Sequence, residues 1–286
     1  MGAGWITDFL ARERLPDSFR ATIAAVCEPL SDRAMELRRT HGATVLLGLC
    51  GAQGSGKSTV AAAARRLLEM RGLHVVAASL DDFYLSRAAR EQLARDVHPL
   101  FVTRGPPGTH DVGLAGAALD QLRRPGRARL PAFDKAADDR RPPSEWRGVD
   151  TPADVVVFEG WCVGARPQPD ADLASPVNML EAEEDGDGRW RAHVNAELAG
   201  PYRQLFARLD ALAFLQAPSF EVVLGWRREQ ERKLIARTGR GMTEAQLARF
   251  VAHYERLTRW MLADLPTRAD LVFRLDADRT PRPCAL

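Results

Sequence analysis

Lysine is scarce in this chain. Of 40 basic residues only Lys57, Lys135 and Lys233 are lysines, and the rest are arginines. Codon preference explains such a bias, but it makes each lysine worth locating. Also missing is an excess of charge of either sign, with 40 basic residues against 38 acidic ones. The strong basic footprint of a nucleic-acid binder is therefore absent. No apolar run approaches the roughly 18 residues of a membrane span. The four cysteines, Cys27, Cys50, Cys162 and Cys284, show neither CxxC nor zinc-like spacing. Two of them stand in apolar strand surroundings that suit buried thiols. No charged-then-apolar leader opens the sequence, and Ile6 stands where a myristoylation pattern needs Ser or Thr. These absences predict a reduced, cytoplasmic protein with neither a membrane nor a nucleic-acid partner; they leave oligomeric state open.

What is present reads as alternating strands and helices. "TVLLGLC" (44–50) is an unbroken apolar run, as expected of a strand buried on both faces of a parallel sheet. "HVVAASL" (74–80), "VVVFEG" (155–160), "LDALAFLQA" (209–217) and "ADLVFRL" (269–275) supply further strands. Between them, 191–208, 219–237 and 243–263 read as helices, and a helix after residue 57 ends near Gly72. This pattern predicts an α/β fold with a doubly wound, mostly parallel sheet. Residues 1–40 read as a helical extension packed on the core, and 97–150 as an irregular insertion above the sheet. "EAEEDGDG" (181–188) superficially resembles a calcium loop, but it lacks the alternating ligands and closing glutamate and reads as a solvated acidic turn.

"GAQGSGKST" (51–59) directly follows the first strand and satisfies the phosphate-loop pattern in full. Its glycines permit positive φ, so consecutive N–H groups can face phosphate oxygens, and the following helix adds its dipole. Gly51, Gln53, Gly54, Ser55, Gly56, Lys57, Ser58 and Thr59 are thus candidate contacts to ATP. Within that set Lys57 reaches for the terminal phosphates and Ser58 for Mg2+. Glu159, at the end of an apolar strand, is placed to organise the same metal. Asp81 and Asp82 end the neighbouring strand, on the edge of the sheet where ligands bind. A carboxylate there can take the proton of an attacking hydroxyl, whereas a helix N-cap is the competing role for one of the two.

The phosphate loop, "LDDFYL" and "VVVFEGW" together resemble the phosphoribulokinase/uridine kinase group of small-molecule kinases. "TRGPPGTHD" (103–111), "LPAFDKAADDRRP" (130–142), "FEGWCVG" (158–164) and "WRREQERKL" (226–234) narrow this. They resemble the plant-type D-glycerate 3-kinases and their bacterial and fungal relatives, over about residues 42–275. The resemblance implies a P-loop kinase domain over 41–286, with Asp81 as the base near Mg2+ and a helical lid. In one respect the chain departs from it. Only "AAD" separates Lys135 from Asp139, where the relatives carry a longer glycine-containing stretch.

Where uridine kinases place an aromatic that stacks on a base, this chain has Lys135, which suits an anionic acceptor instead. A small hydroxy acid needs a cation to orient its carboxylate. Arg104, Lys135 and Arg140 are candidates, with His110 as a neutral donor and Asp111 as an acceptor for the substrate's hydroxyls. The alternative is that the loop ions satisfy one another. "WRREQERKLIARTGRGMT" (226–243) is a helix breaking into a glycine-flanked basic loop. It reads either as a phosphate-clamping lid or as an exposed basic face paired with Glu229 and Glu231. Arg237 is the candidate for the transferred group and Arg240 for the nucleotide, alongside Arg227 and Lys233. Asn178 and Asn195 either orient substrate or cap helices. The activity expected is ATP- and Mg2+-dependent phosphorylation of a hydroxyl on a small acid, D-glycerate first. The alternatives are another small acceptor or a non-catalytic ATP-binding regulator.

Overall fold

The structure, a computed structural model, describes residues 4–239 and 241–282; the side chains of Arg237 and Thr238 also lie outside the described residues. The N-terminal extension comprises helices α1 (Gly4–Glu13), α2 (Phe19–Thr22) and α3 (Glu28–His41), with a wider π-type turn over Ile23–Cys27. Its apolar stripe of Phe9, Ile23, Val26, Leu30 and Ala34 is buried in one core with strand β1 (Val45–Gly51) and helix α4 (Lys57–Met70). Burial of side chains this size is worth roughly 1.5–3 kcal/mol each, which is what fastens the extension to the sheet.

All seven residues of β1 are buried. Alternate side chains serve the two faces, Leu47 and Leu49 one core, Leu46 and Cys50 the other. After α4, Gly72 adopts a left-handed φ of 83° and turns the chain into β2 (Val75–Ser79). There follow α5 (Arg87–Asp96), α6 (Val112–Leu122), β3 (Gly126–Leu130), β4 (Phe133–Asp134), β5 (Asp139–Arg140) and β6 (Arg147–Thr151). The chain then re-enters the sheet as β7 (Val155–Gly160) and leaves it through α7 (Met179–Glu184), α8 (Arg189–Ala199) and α9 (Pro201–Phe206). It closes with β8 (Ala211–Gln216), α10 (Phe220–Thr238), α11 (Glu244–Asp264) and β9 (Leu271–Arg274).

The main sheet is five-stranded in the order β2-β7-β1-β8-β9, and every neighbouring pair is parallel. This is the α/β architecture expected. It collects the carboxyl ends of β1, β2 and β7 at one edge. Because β7 lies between β2 and β1, Glu159 is level with Ser79 on one side and Leu49 on the other.

Three expectations need correction. The segment 97–150 is not an irregular insertion: it holds α6 and two antiparallel pairs, β3 with β6 and β4 with β5. Its Pro, Gly and Arg content hid the apolar stripe Ala115, Ala118, Leu119 and Leu122. The single helix expected over 191–208 is broken at Pro201, which has no N–H to continue the ladder. The acidic stretch 181–188 is not a solvated turn either, since Glu181 and Asp185 are both 0% exposed. Arg256 meets Glu181 with two bonds of 2.8 and 2.6 Å, and Asp185 accepts from the backbone of Trp190 and from Arg191. A matching cation from a distant helix is invisible in the local composition.

Candidate active site

β1 ends at Gly51, and the loop that follows winds tightly because Gly54 and Gly56 take φ of 78° and 88°. Ser55 N–H closes the turn onto the Ala52 carbonyl at 3.1 Å. No side chain fits at Gly54, where an added Cβ would lie 2.6 Å from the Trp226 Cβ of α10. The loop delivers Lys57 and Ser58 at the first turn of α4. Two of its buried polar atoms, Gln53 Oε1 and Ser55 Oγ, have no hydrogen-bond partner, as expected of a cradle for a polar ligand.

Facing the loop, Ser58 Oγ donates to Glu159 Oε1 at 2.8 Å. The other carboxylate oxygen, Oε2, is buried and unpartnered. A buried, half-satisfied carboxylate beside a hydroxyl is a donor set that fits a divalent cation with hard oxygen ligands. Asp82 borders the same hollow as Ser58 and Glu159. Burial, and then the neighbouring Asp81, push its carboxyl up to about 6.

Asp81 itself sits at the end of β2. Lys135 Nζ donates to its Oδ2 at 2.6 Å, and Tyr84 OH donates to its Oδ1 at 3.0 Å. Burial pushes this carboxyl up, but Lys135 and Lys57 more than reverse that and hold it well below the usual carboxylate range. Tyr84 stacks on His110 at 4.4 Å and meets Phe133 edge-on at 5.1 Å. His110 shares a 2.6 Å hydrogen bond with Tyr202 through Nδ1. Its burial lowers its pKa to about 4, so it is neutral at ordinary pH.

Arg140 donates twice to the Tyr84 carbonyl and once to Asp111 Oδ2, at 3.2 Å. Asp111 also caps α6 by accepting from Leu114 N–H. Arg104 pairs with Asp138 and lies over the Phe133 ring at 5.6 Å. On the same turn the buried Arg90 holds Asp138 at 2.9 Å. The two guanidinium groups thereby fix the β4–β5 turn that presents Lys135.

The structure therefore brings together Lys57, Ser58, Asp81, Asp111, Lys135, Arg140, His110 and Glu159. The loop ions do not chiefly satisfy one another: Lys135 pairs with Asp81, Arg140 with Asp111, and Asp138 with Arg90 and Arg104. Along α10, Arg227 pairs with Glu231 at 2.8 Å and Lys233 with Glu229 at 2.5 Å. Arg240 and the side chain of Arg237 lie outside the described residues. Asn178 caps α7 through Glu181 N–H, and Asn195 is spent on both backbone groups of Gln168.

Sequence reasoning missed Tyr84, Tyr202 and Arg279. Tyr84 stood inside the quoted "LDDFYL" and was legible. Arg279 gave no signal: its Nε donates to the Gly54 carbonyl at 2.6 Å from a turn 225 residues away.

A glycine loop between a buried strand and a helix, facing carboxylates at the ends of two neighbouring parallel strands, defines the class: a P-loop kinase. Residues 46–168 match the model of the phosphoribulokinase/uridine kinase family. An uncharacterized kinase of Schizosaccharomyces pombe, mug58, is 34% identical over 226 residues, 76% of this chain and 80% of that one. The chloroplastic D-glycerate 3-kinase of Arabidopsis thaliana is 28% identical over 257 residues, 83% of this chain and 54% of that one. The D-glycerate 3-kinase of Cryptococcus neoformans superposes with a TM-score of 0.75 at 27% identity, covering 91% of this chain and 98% of that chain. The chain belongs to the phosphoribulokinase/uridine kinase family. Among the described residues no helix is long and apolar enough to cross a membrane.

Proposed function

We propose that the protein transfers the terminal phosphoryl group of ATP to a hydroxyl of a small hydroxy acid, D-glycerate at O3 being the first choice. The observation that carries this reading is Lys135, whose ammonium sits 2.6 Å from the strand-end carboxylate of Asp81. A cation beside a candidate base suits a small acceptor that brings a carboxylate two bonds from the carbon bearing its reacting hydroxyl. The names of the plant and fungal relatives support the same acceptor.

In this reading the loop amides and Lys57 hold the phosphates, and Ser58 with Glu159 and Asp81 holds Mg2+. The metal would neutralise charge between the terminal phosphates. Lys135 orients the acceptor carboxylate, with Arg140, Asp111, His110 and Arg104 shaping the pocket around it. The acceptor oxygen forms a bond to the γ-phosphorus as the bond to the β-bridging oxygen breaks, and its proton passes to Asp81 Oδ2. Positioning and electrostatics suffice for such a transfer, with no covalent enzyme intermediate. Lys135 must leave Asp81 before that oxygen is free to accept a proton, and the substrate carboxylate supplies the competing anion.

The test is ADP release from Mg2+-ATP with D-glycerate, L-glycerate, pantothenate, uridine and ribulose 5-phosphate, using Asp81→Asn as control. Turnover on D-glycerate that the variant loses is the expected result. Turnover on another acceptor alone overturns the substrate and points to the shortened stretch after Lys135. Binding of ATP without turnover on any of them overturns the glycerate assignment and leaves either an untested acceptor or a non-catalytic ATP-binding regulator.

A further inference from the structure

The hydroxyl of Tyr202, on α9, meets the ring of His110 although 92 residues separate them. Tyr202 is fully buried. Its oxygen lies 2.6 Å from His110 Nδ1 and accepts from Gly108 N–H at 3.1 Å. The loop that carries His110 is held at other points too. Thr109 Oγ1 accepts from Gly105 N–H at 2.9 Å and donates to the Pro106 carbonyl at 2.8 Å. Tyr254 OH donates to the Arg104 carbonyl at 2.8 Å. The imidazole therefore stands on a fixed backbone, and Tyr202 acts on one of its two nitrogens.

The donors and acceptors present fix where the protons are. Burial pushes the Tyr202 phenol well above its ordinary value, so it keeps its proton. Its oxygen already accepts from Gly108, and among the described residues His110 Nδ1 is the one acceptor that its hydroxyl meets. Were Nδ1 protonated instead, Tyr202 would accept twice and its own buried O–H would be left without a partner, a larger loss than the bond itself is worth. The O–H therefore donates to Nδ1. A neutral imidazole carries a single proton, and burial keeps His110 neutral at ordinary pH. That proton is then on Nε2.

Nε2 points away from Tyr202. The ring stacks on Tyr84, whose hydroxyl donates to Asp81 Oδ1, and Asp81 is near enough for its charge to act on the imidazole. Among the described residues Nε2 has no protein partner, and it is not one of the polar atoms sealed from solvent. An N–H at that point attracts a carboxylate or hydroxyl oxygen, whereas a bare nitrogen there would repel it.

We propose that Tyr202 is a positioning residue: by donating to Nδ1 it holds the His110 proton on Nε2, so that the ring offers an N–H to an oxygen of the acceptor beside Asp81. The proposal rests on the kinase reading above. It gives α9, which supplies no other residue of the site, a part in acceptor recognition, although Tyr202 itself touches no substrate.

The experiment records ring-nitrogen NMR spectra near neutral pH on protein carrying nitrogen-labelled histidine, as wild type and as Tyr202→Phe. The His110 signals are those that His110→Asn removes. The expected wild type has Nε2 protonated and Nδ1 bare, and Tyr202→Phe exchanges between the two tautomers. In steady-state kinetics the same variant should raise KM for D-glycerate roughly 3–10-fold and leave kcat within about twofold. A wild-type proton on Nδ1 overturns the proposal, and that result needs no variant to fold. A tautomer unchanged in Tyr202→Phe also overturns it, as does an unchanged KM. Failure of the kinase reading shows separately, as wild type that turns over no acceptor whichever nitrogen holds the proton.

Discussion

Lys135 Nζ and Asp81 Oδ2 stand 2.6 Å apart although 54 residues separate them in sequence. The pair joins the β4–β5 turn to the end of β2, and it places the chain's second lysine against the carboxylate proposed as base. Its exposure differs at the two ends, since the Lys135 side chain is 61% exposed and that of Asp81 only 23%. The lysine can therefore swing towards solvent or substrate while the aspartate stays in place.

Replacing Lys135 with Met is expected to raise KM for a carboxylate acceptor by roughly 10–100-fold, the worth of one charged hydrogen bond. A neutral polyol such as glycerol should show no such change. Steady-state kinetics on D-glycerate and glycerol make the comparison, and an equal effect on both would show that Lys135 does not read the carboxylate.

Asp81→Asn is expected to lower kcat by roughly 10²–10⁴-fold, the usual contribution of a positioned general base. ADP affinity measured without Mg2+ should hold, because the phosphate loop itself does not depend on that carboxylate. Single-turnover kinetics and ADP titration separate the two effects.

Asp82 links stability to pH. Its folded value of about 6 lies above its ordinary 3.8. It therefore costs nothing in acid below both values, and its cost grows as pH rises through them. Asp82→Asn should accordingly raise Tm more at about pH 8 than at about pH 5. His110 acts in the opposite sense: its folded value of about 4 lies below the ordinary 6.5, so its contribution is present above 6.5 and is lost as pH falls towards 4. Thermal melts of wild type, Asp82→Asn and His110→Asn across that range check both signs.

Glu181→Ala leaves the buried Arg256 guanidinium without its anion, and should cost about 3–5 kcal/mol. Glu181→Leu combined with Arg256→Met should recover part of that loss. Recovery should be incomplete, since Arg256 also bonds the Asp172 and Ser175 carbonyls. Urea unfolding of the single and double variants measures the difference.

The glycine loop, the strand before it and the acids at 81 and 159 were legible because each is a local pattern. A buried parallel strand must be a continuous apolar run, and a phosphate loop must have glycine where φ is positive. The five strands of the main sheet were found for that reason, with bounds within two residues. At 181–188 the misreading was of a charge whose partner is remote, and at 97–150 of short strands whose pairing leaves no local period. Glu181 reads as solvated until Arg256 arrives from α11, and 97–150 reads as irregular until its short strands pair with one another.

From the sequence alone came the class of sheet, the phosphate loop and the identity of the strand-end carboxylates, because periodicity and φ requirements act over a few residues. Only tertiary structure decided which cation meets which anion: Lys135 with Asp81, Arg140 with Asp111, Arg104 and Arg90 with Asp138, and Arg279 with the Gly54 carbonyl. The physical reason is that an ion pair depends on distance in space and carries no sequence period, so with 40 basic and 38 acidic residues the pairing is settled by packing.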